Sequence, residues 1–312
     1  METIAVCHMQ PTACPPHAGS LPVCVQGALR RWGESPPFYC VVGLAGTAFG
    51  PSLHPDACCA VCPRDLGGHQ QLDLLGHALG FEVERSPLEH KGPAWDEFSL
   101  RAQAALGAGE TVLCPTWQCW TLVETWRGNP GHLTLIVPPG RRPPFDLSPN
   151  TPFCILRRAR RSLTLAEAFW EAALVAGSAV PPTEGPSGGG PATGVYSRWV
   201  AQLSEQTFCP LGHTDAWDCA ERAASRCVAD QLAVVQFLQA GIQLSAPARS
   251  SSALGCAVQS YLAMADVLTP YATGSGLQTT WHLPLGRQRY RRALERVREL
   301  QGEAHTQLRN AV

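Results

Sequence analysis

The sequence predicts an α+β domain followed by an all-α helical domain. Three observations carry this. Before residue 181 short helical patterns alternate with short apolar runs, and after residue 193 the apolar spacing is helical almost throughout. Between them, Pro181 to Pro191 holds four Gly, four Pro and no apolar side chain, which is the composition of a flexible linker. The 312 residues also suit two domains at roughly 100–200 residues each. The expected division is 20–180, a linker at 181–193, and 194–310.

In the first part, Cys24 to Trp32 has helical spacing and stops at Gly33. His69 to Leu79 places Leu72, Leu75 and Leu79 on one face, with Gly80 in the position that ends a helix. Phe81 to Glu84 alternates as a strand. Trp95, Phe98, Ala102 and Leu106 mark another helix, closed by Gly107, and Thr111 to Leu113 follows as a buried strand. His132 to Val137 is the clearest strand, stopped by Pro138-Pro139-Gly140, and Phe153 to Leu156 is one more. Thr164-x-x-Glu167 is a capping box that opens a helix through Ala176.

The second part predicts helices near 194–204, 214–240, 251–268 and 287–309. The last has Tyr290, Leu294, Val297, Leu300 and Ala304 at spacings of three or four, an amphipathic packing helix. Tyr196, Trp199, Leu232, Phe237, Leu254, Leu262 and Leu294 are the expected helical core, enough for a fragment from about Thr193 to stay helical alone.

Hydrophobic residues make up 45% and charged residues 16%, so the chain can bury cores and is not disordered. A net charge of −1 gives no bulk attraction to nucleic acid or to an anionic membrane. No apolar run approaches the ~20 residues that span a bilayer. Of the 24 basic residues only Lys91 is lysine, most simply a sign of a GC-rich genome. Met1 to Pro22 has neither the charged start nor the apolar run of a secretory signal, so a cytoplasmic location is expected. The fourteen cysteines are then expected to be thiols, ligands or one nucleophile.

A thiol nucleophile needs a lowered pKa, and a helix N-terminus supplies part of it. Cys24 is the best placed, where Leu21-Pro22-Val23 leads into a helix. A small buried cysteine is the alternative. His132, at the start of a strand, is the candidate base, and Asp146 the candidate third member that orients its imidazole. A strand-end His and a turn-capping Asp are the structural alternatives.

Cys24-Val25-Gln26-Gly27-Ala28-Leu29-Arg30-Arg31-Trp32-Gly33, followed by Gly43-Leu44-Ala45-Gly46-Thr47-Ala48-Phe49, resembles the opening of the butirosin biosynthesis protein H N-terminal family. Those proteins are similar to papain-like peptidases that cut double-glycine leaders. Members show a Cys at a helix start, a glycine-rich segment ending in an aromatic residue, and a His opening a strand about a hundred residues later. His132 stands 108 residues after Cys24. The segment from Gly194 to Trp199 and the later Arg226 to Leu238 helix are similar to helical tails of some members.

The resemblance implies a papain-like cysteine-protease fold for the α+β domain, with Cys24, His132 and Asp146 as the catalytic set. It implies thiol-dependent acyl transfer or amide or peptide hydrolysis. A small-molecule amine or peptide would be the substrate, with an acyl carrier protein as a further partner. Three positions depart from the pattern: Ala18 stands where papain-like sites carry an oxyanion Gln, Val23 where members often have His, and Pro138-Pro139 follows the His132 strand. A lost oxyanion donor costs about 10²–10³ in rate. The alternative is therefore a catalytically inactive papain-like fold that serves as a binding or scaffold protein.

His54, Cys58, Cys59, Cys62 and His69 fall within sixteen residues, and Cys59-x-x-Cys62 has the spacing of half a zinc site. A structural zinc held by Cys59, Cys62, His54 and His69 is one reading, and unliganded thiols with no cofactor the other. Cys7, Cys14 and His17 form a weaker group of the same kind. Trp117, Trp120 and Trp126 either wall a groove or belong to the core. The run Arg157-Arg158-Ala159-Arg160-Arg161 either holds a phosphate or a carrier-protein face, or is a solvated loop.

Overall fold

The computed structural model describes residues 5–7, 21–46, 48–49, 68–115, 120–127, 132–136, 152–178, 196–197, 199–201, 216–244, 248–272 and 280–312. The chain is α+β, as expected, and forms two compact units. One comprises residues 1–41 and 64–164, the other 42–63 and 165–312. The junction thus falls at Thr164/Leu165, at the predicted capping box, and an early segment belongs with the late helices. The Pro/Gly stretch at 181–193, expected as the linker, lies outside the described residues.

In the first unit the strands are β1 (Ala5–Cys7), β2 (Phe81–Arg85), β3 (Thr111–Pro115), β4 (Trp120–Arg127), β5 (His132–Ile136) and β6 (Cys154–Arg158). They form one sheet in the order β1-β5-β4-β3-β6-β2. Every neighbouring pair is antiparallel except β1 and β5. β3 is buried along its whole length, which is why Thr111-Val112-Leu113-Cys114-Pro115 does not alternate in polarity.

Helix α1 (Leu21–Arg31) covers one face and α4 (Pro93–Gly107) the other; α2 (Phe38–Leu44) and α3 (Gly68–Leu79) lie between them in sequence. Under α4, Trp95, Phe98 and Ala102 pack on Val112, Cys114, Val123, Trp126, Phe153 and Ile155. The rings of Trp95, Trp126 and Phe153 lie 5.3–5.6 Å apart between centroids. Trp120 and Trp126 are buried, so these two members of the tryptophan set are core residues. Gly80, at φ +82°, ends α3 and turns the chain straight into β2, with its N–H donating to the Gly76 carbonyl at 2.8 Å.

In the second unit the helices are α5 (Leu165–Ser178), α6 (Ala216–Gln243), α7 (Ala248–Ala272) and α8 (Pro284–Ala311). α7 packs on both α6 and α8, and α5 on α8. α5 begins one residue after Thr164 with Glu167 in its first turn, the position the capping box assigns. Tyr196, Trp199, Phe237, Leu254 and Leu294 are buried as expected. Leu232, expected in this core, is instead 43% exposed, and Leu262 is half-buried. Phe49 supplies what the late helices lack, since its ring packs edge-on against Phe237 and Tyr261, at 6.0 and 6.2 Å.

Candidate functional site

Cys24 is the fourth residue of α1, which begins at Leu21 rather than at the thiol. Pro22 does not hold the chain extended here. In a first turn its missing N–H costs no hydrogen bond, so the helix accepts it. Cys24 therefore lies a full turn into the helix, where the dipole's support for a thiolate is already fading. The side chain is 5% exposed.

The position of α1 on the sheet follows from its contacts. A β-carbon on Gly27 would stand 3.0 Å from Leu122 of β4, and Leu122 pairs with Ile136 of β5. Just past the other end of α1, the Trp32 ring lies 6.3 Å from that of Phe81. Phe81 pairs with Arg158, Leu156 with Thr111, and Val112 with Val123. α1 thus runs from β4 toward β2, across the strands.

His132 is the first residue of β5 and pairs with Arg127, the last of β4. Four residues separate it from Ile136, about 14 Å along an antiparallel strand. The two residues expected to form a catalytic pair lie on α1 and on β5. Asp146 lies outside the described residues, as do His54, Cys59 and Cys62. His69 is placed only as a backbone position at the start of α3. Among the described residues there is no group of three or more metal-binding side chains.

The Arg157–Arg161 run is bound up with acidic residues of its own unit. Arg157 donates to Glu110 at 2.7 Å and Glu84 at 3.0 Å, and Arg161 to Glu34 at 3.1 Å. Arg158 is paired with the same Glu34, at 3.5 Å. Burial opposes ionisation of Glu84, but the hydrogen-bonded guanidiniums of Arg101 and Arg157 outweigh it and hold the carboxyl below its usual range.

A second polar constellation sits in the helical unit. The Phe49 carbonyl accepts hydrogen bonds from the Tyr261 hydroxyl at 3.1 Å, Gln301 Nε2 at 3.0 Å and His305 Nε2 at 3.1 Å. Beside it, the Tyr196 hydroxyl donates to Cys227 Sγ at 3.9 Å, and Arg226 pairs with Asp230 at 3.0 Å. Burial pushes the Cys227 thiol up to about 12, which holds it protonated at neutral pH. Burial likewise raises Asp230, against the opposing pull of Arg226. The periodicity of α8 carries a signal of this cluster, because Gln301 and His305 are polar residues on its buried stripe.

A scan against models of protein families finds no match to this chain, and no curated protein is significantly similar to it.

Proposed function

We propose that the α+β unit is a papain-like fold used for binding or as a scaffold, without catalysis through a Cys24–His132 pair. The observation that supports this most is that Cys24 is buried, 5% exposed, a full turn into α1 and away from the helix start that would favour a thiolate. General-base activation of a thiol needs contact within about 2.6–3.2 Å, directly or through one water. The departures at Ala18, Val23 and Pro138 point the same way. The ligand class remains the one the resemblance implies: a small amine or peptide, or a carrier protein that bears one.

A second reading, thiol-dependent acyl transfer or amide hydrolysis through a Cys24 thioester, is supported by one observation. Cys24 keeps some exposure near the start of α1. Alkylation by iodoacetamide at pH 6, read by peptide mass spectrometry, separates the two. The binding reading expects Cys24 to react no faster than the exposed Cys256, with no change in His132→Ala. Preferential labelling of Cys24 that His132→Ala abolishes would replace it with the catalytic reading.

A further inference from the structure

The helical unit holds a small cavity of about 10 Å³ beside the Phe49 carbonyl, which is space for one water-sized molecule. Its polar lining comes from Tyr196, Cys227, Asp230, Gln231, Tyr261 and Gln301. Gln231 is 3% exposed and Gln301 1%. The amide oxygens of both receive no hydrogen bond from the protein.

Both amide oxygens are acceptors, and three of the donors around the cavity are committed elsewhere. Tyr196 donates to Cys227, and Tyr261 and Gln301 Nε2 donate to the Phe49 carbonyl. An occupant must therefore supply donors, and at least two of them. An anion accepts only, so it does not fit. A cation would add a second positive charge to a buried site where Arg226 already matches Asp230. A water molecule has two donors, no net charge and the right size.

We propose that this cavity is a binding site for one water molecule, which donates to the amide oxygens of Gln231 and Gln301 and so ties α6 to α8. Each oxygen belongs to a different helix, so the bridge contributes to their register as well as to hydrogen-bond satisfaction. Ala48 and Phe49 line the site from the third side.

A high-resolution crystal structure of the full chain tests this. The expected result is a solvent peak at about 2.5–3.0 Å from both amide oxygens. An empty cavity, or glutamine amides turned to donors of the protein, would overturn the proposal. Crystals soaked in a thallium(I) salt provide the second arm: an anomalous peak at the same point identifies a cation site and also overturns it. In solution, cross-relaxation between a long-lived water and the Gln301 side-chain amide is expected, and it should vanish in Gln231→Leu. Persistence of that signal in the folded variant would place the water elsewhere and count against the bridge.

Discussion

Gly43 lies against the ring of Phe237 so closely that a β-carbon at Gly43 would overlap three of the ring's carbons. α2 can approach α6 there only because the residue has no side chain. Gly43→Ala forces one of the two elements to move. The expected cost is about 1–3 kcal/mol, the usual range for an overpacked core. Thermal unfolding followed by circular dichroism measures it. An unchanged midpoint would mean that α2 does not sit on Phe237.

The same region decides whether the late helices stand alone. A 193–312 fragment lacks Phe49, which Phe237 and Tyr261 pack against, and Phe169, whose ring lies 5.0 Å from that of Phe237. It also leaves three buried donors facing the position of the Phe49 carbonyl. The fragment is expected to keep helical circular dichroism but to bind a hydrophobic dye and melt without a sharp transition. In the full chain, Phe49→Ala is expected to cost about 3–5 kcal/mol. Cooperative melting of the fragment would show that the early segment is dispensable.

Alkaline pH should unfold the protein through its buried thiols. Burial pushes Cys227 and Cys154 up to about 12 from an ordinary 9.0. Between these values the unfolded chain loses the thiol protons while the native chain keeps them. The unfolded state then binds fewer protons, so stability falls as pH rises, by up to roughly 4 kcal/mol for each thiol. Buried Tyr196, Tyr261 and Tyr290 are raised as well and extend the loss above pH 10. Urea midpoints taken from pH 8 to 11 should fall steadily. A flat profile would place these side chains in contact with solvent.

The arginine run yields a modest expectation. Arg157 is 36% exposed, and partly exposed ion pairs are worth about 0–1 kcal/mol. Arg157→Ala should lower stability by no more than that, and less at high salt. A loss several times larger would show a structural role beyond the pairs with Glu84 and Glu110.

Helix and strand identity was largely legible because Gly80, Gly107 and the capping box at Thr164 punctuate strongly periodic segments. β4 was not. A register shift between Val123 and Thr125 breaks the two-residue alternation of Trp120 to Arg127, so the segment reads as scattered tryptophans rather than as a strand. β1 is three residues long and carries no pattern at all. The candidate pair Cys24 and His132 rests on order and separation along the chain, and neither quantity contains strand direction. Direction is fixed by non-local pairings such as Phe81 with Arg158, which periodicity does not encode. The polar cluster around Phe49 escaped for the same reason, although Gln301 and His305 stood on a stripe where apolar residues were due.

The hydrogen bonds to the Phe49 carbonyl also set an order of events in synthesis. Their donors follow it by 212, 252 and 256 residues. At about 5–20 residues per second, a ribosome leaves Phe49 waiting on the order of 10–50 s for its last partner. During that interval an apolar segment has left the ribosome with nothing to pack on. Such long-range closure is intrinsically slow. Chaperone demand and the yield of soluble protein should therefore depend on elongation rate, and most of all on how quickly α8 follows α7.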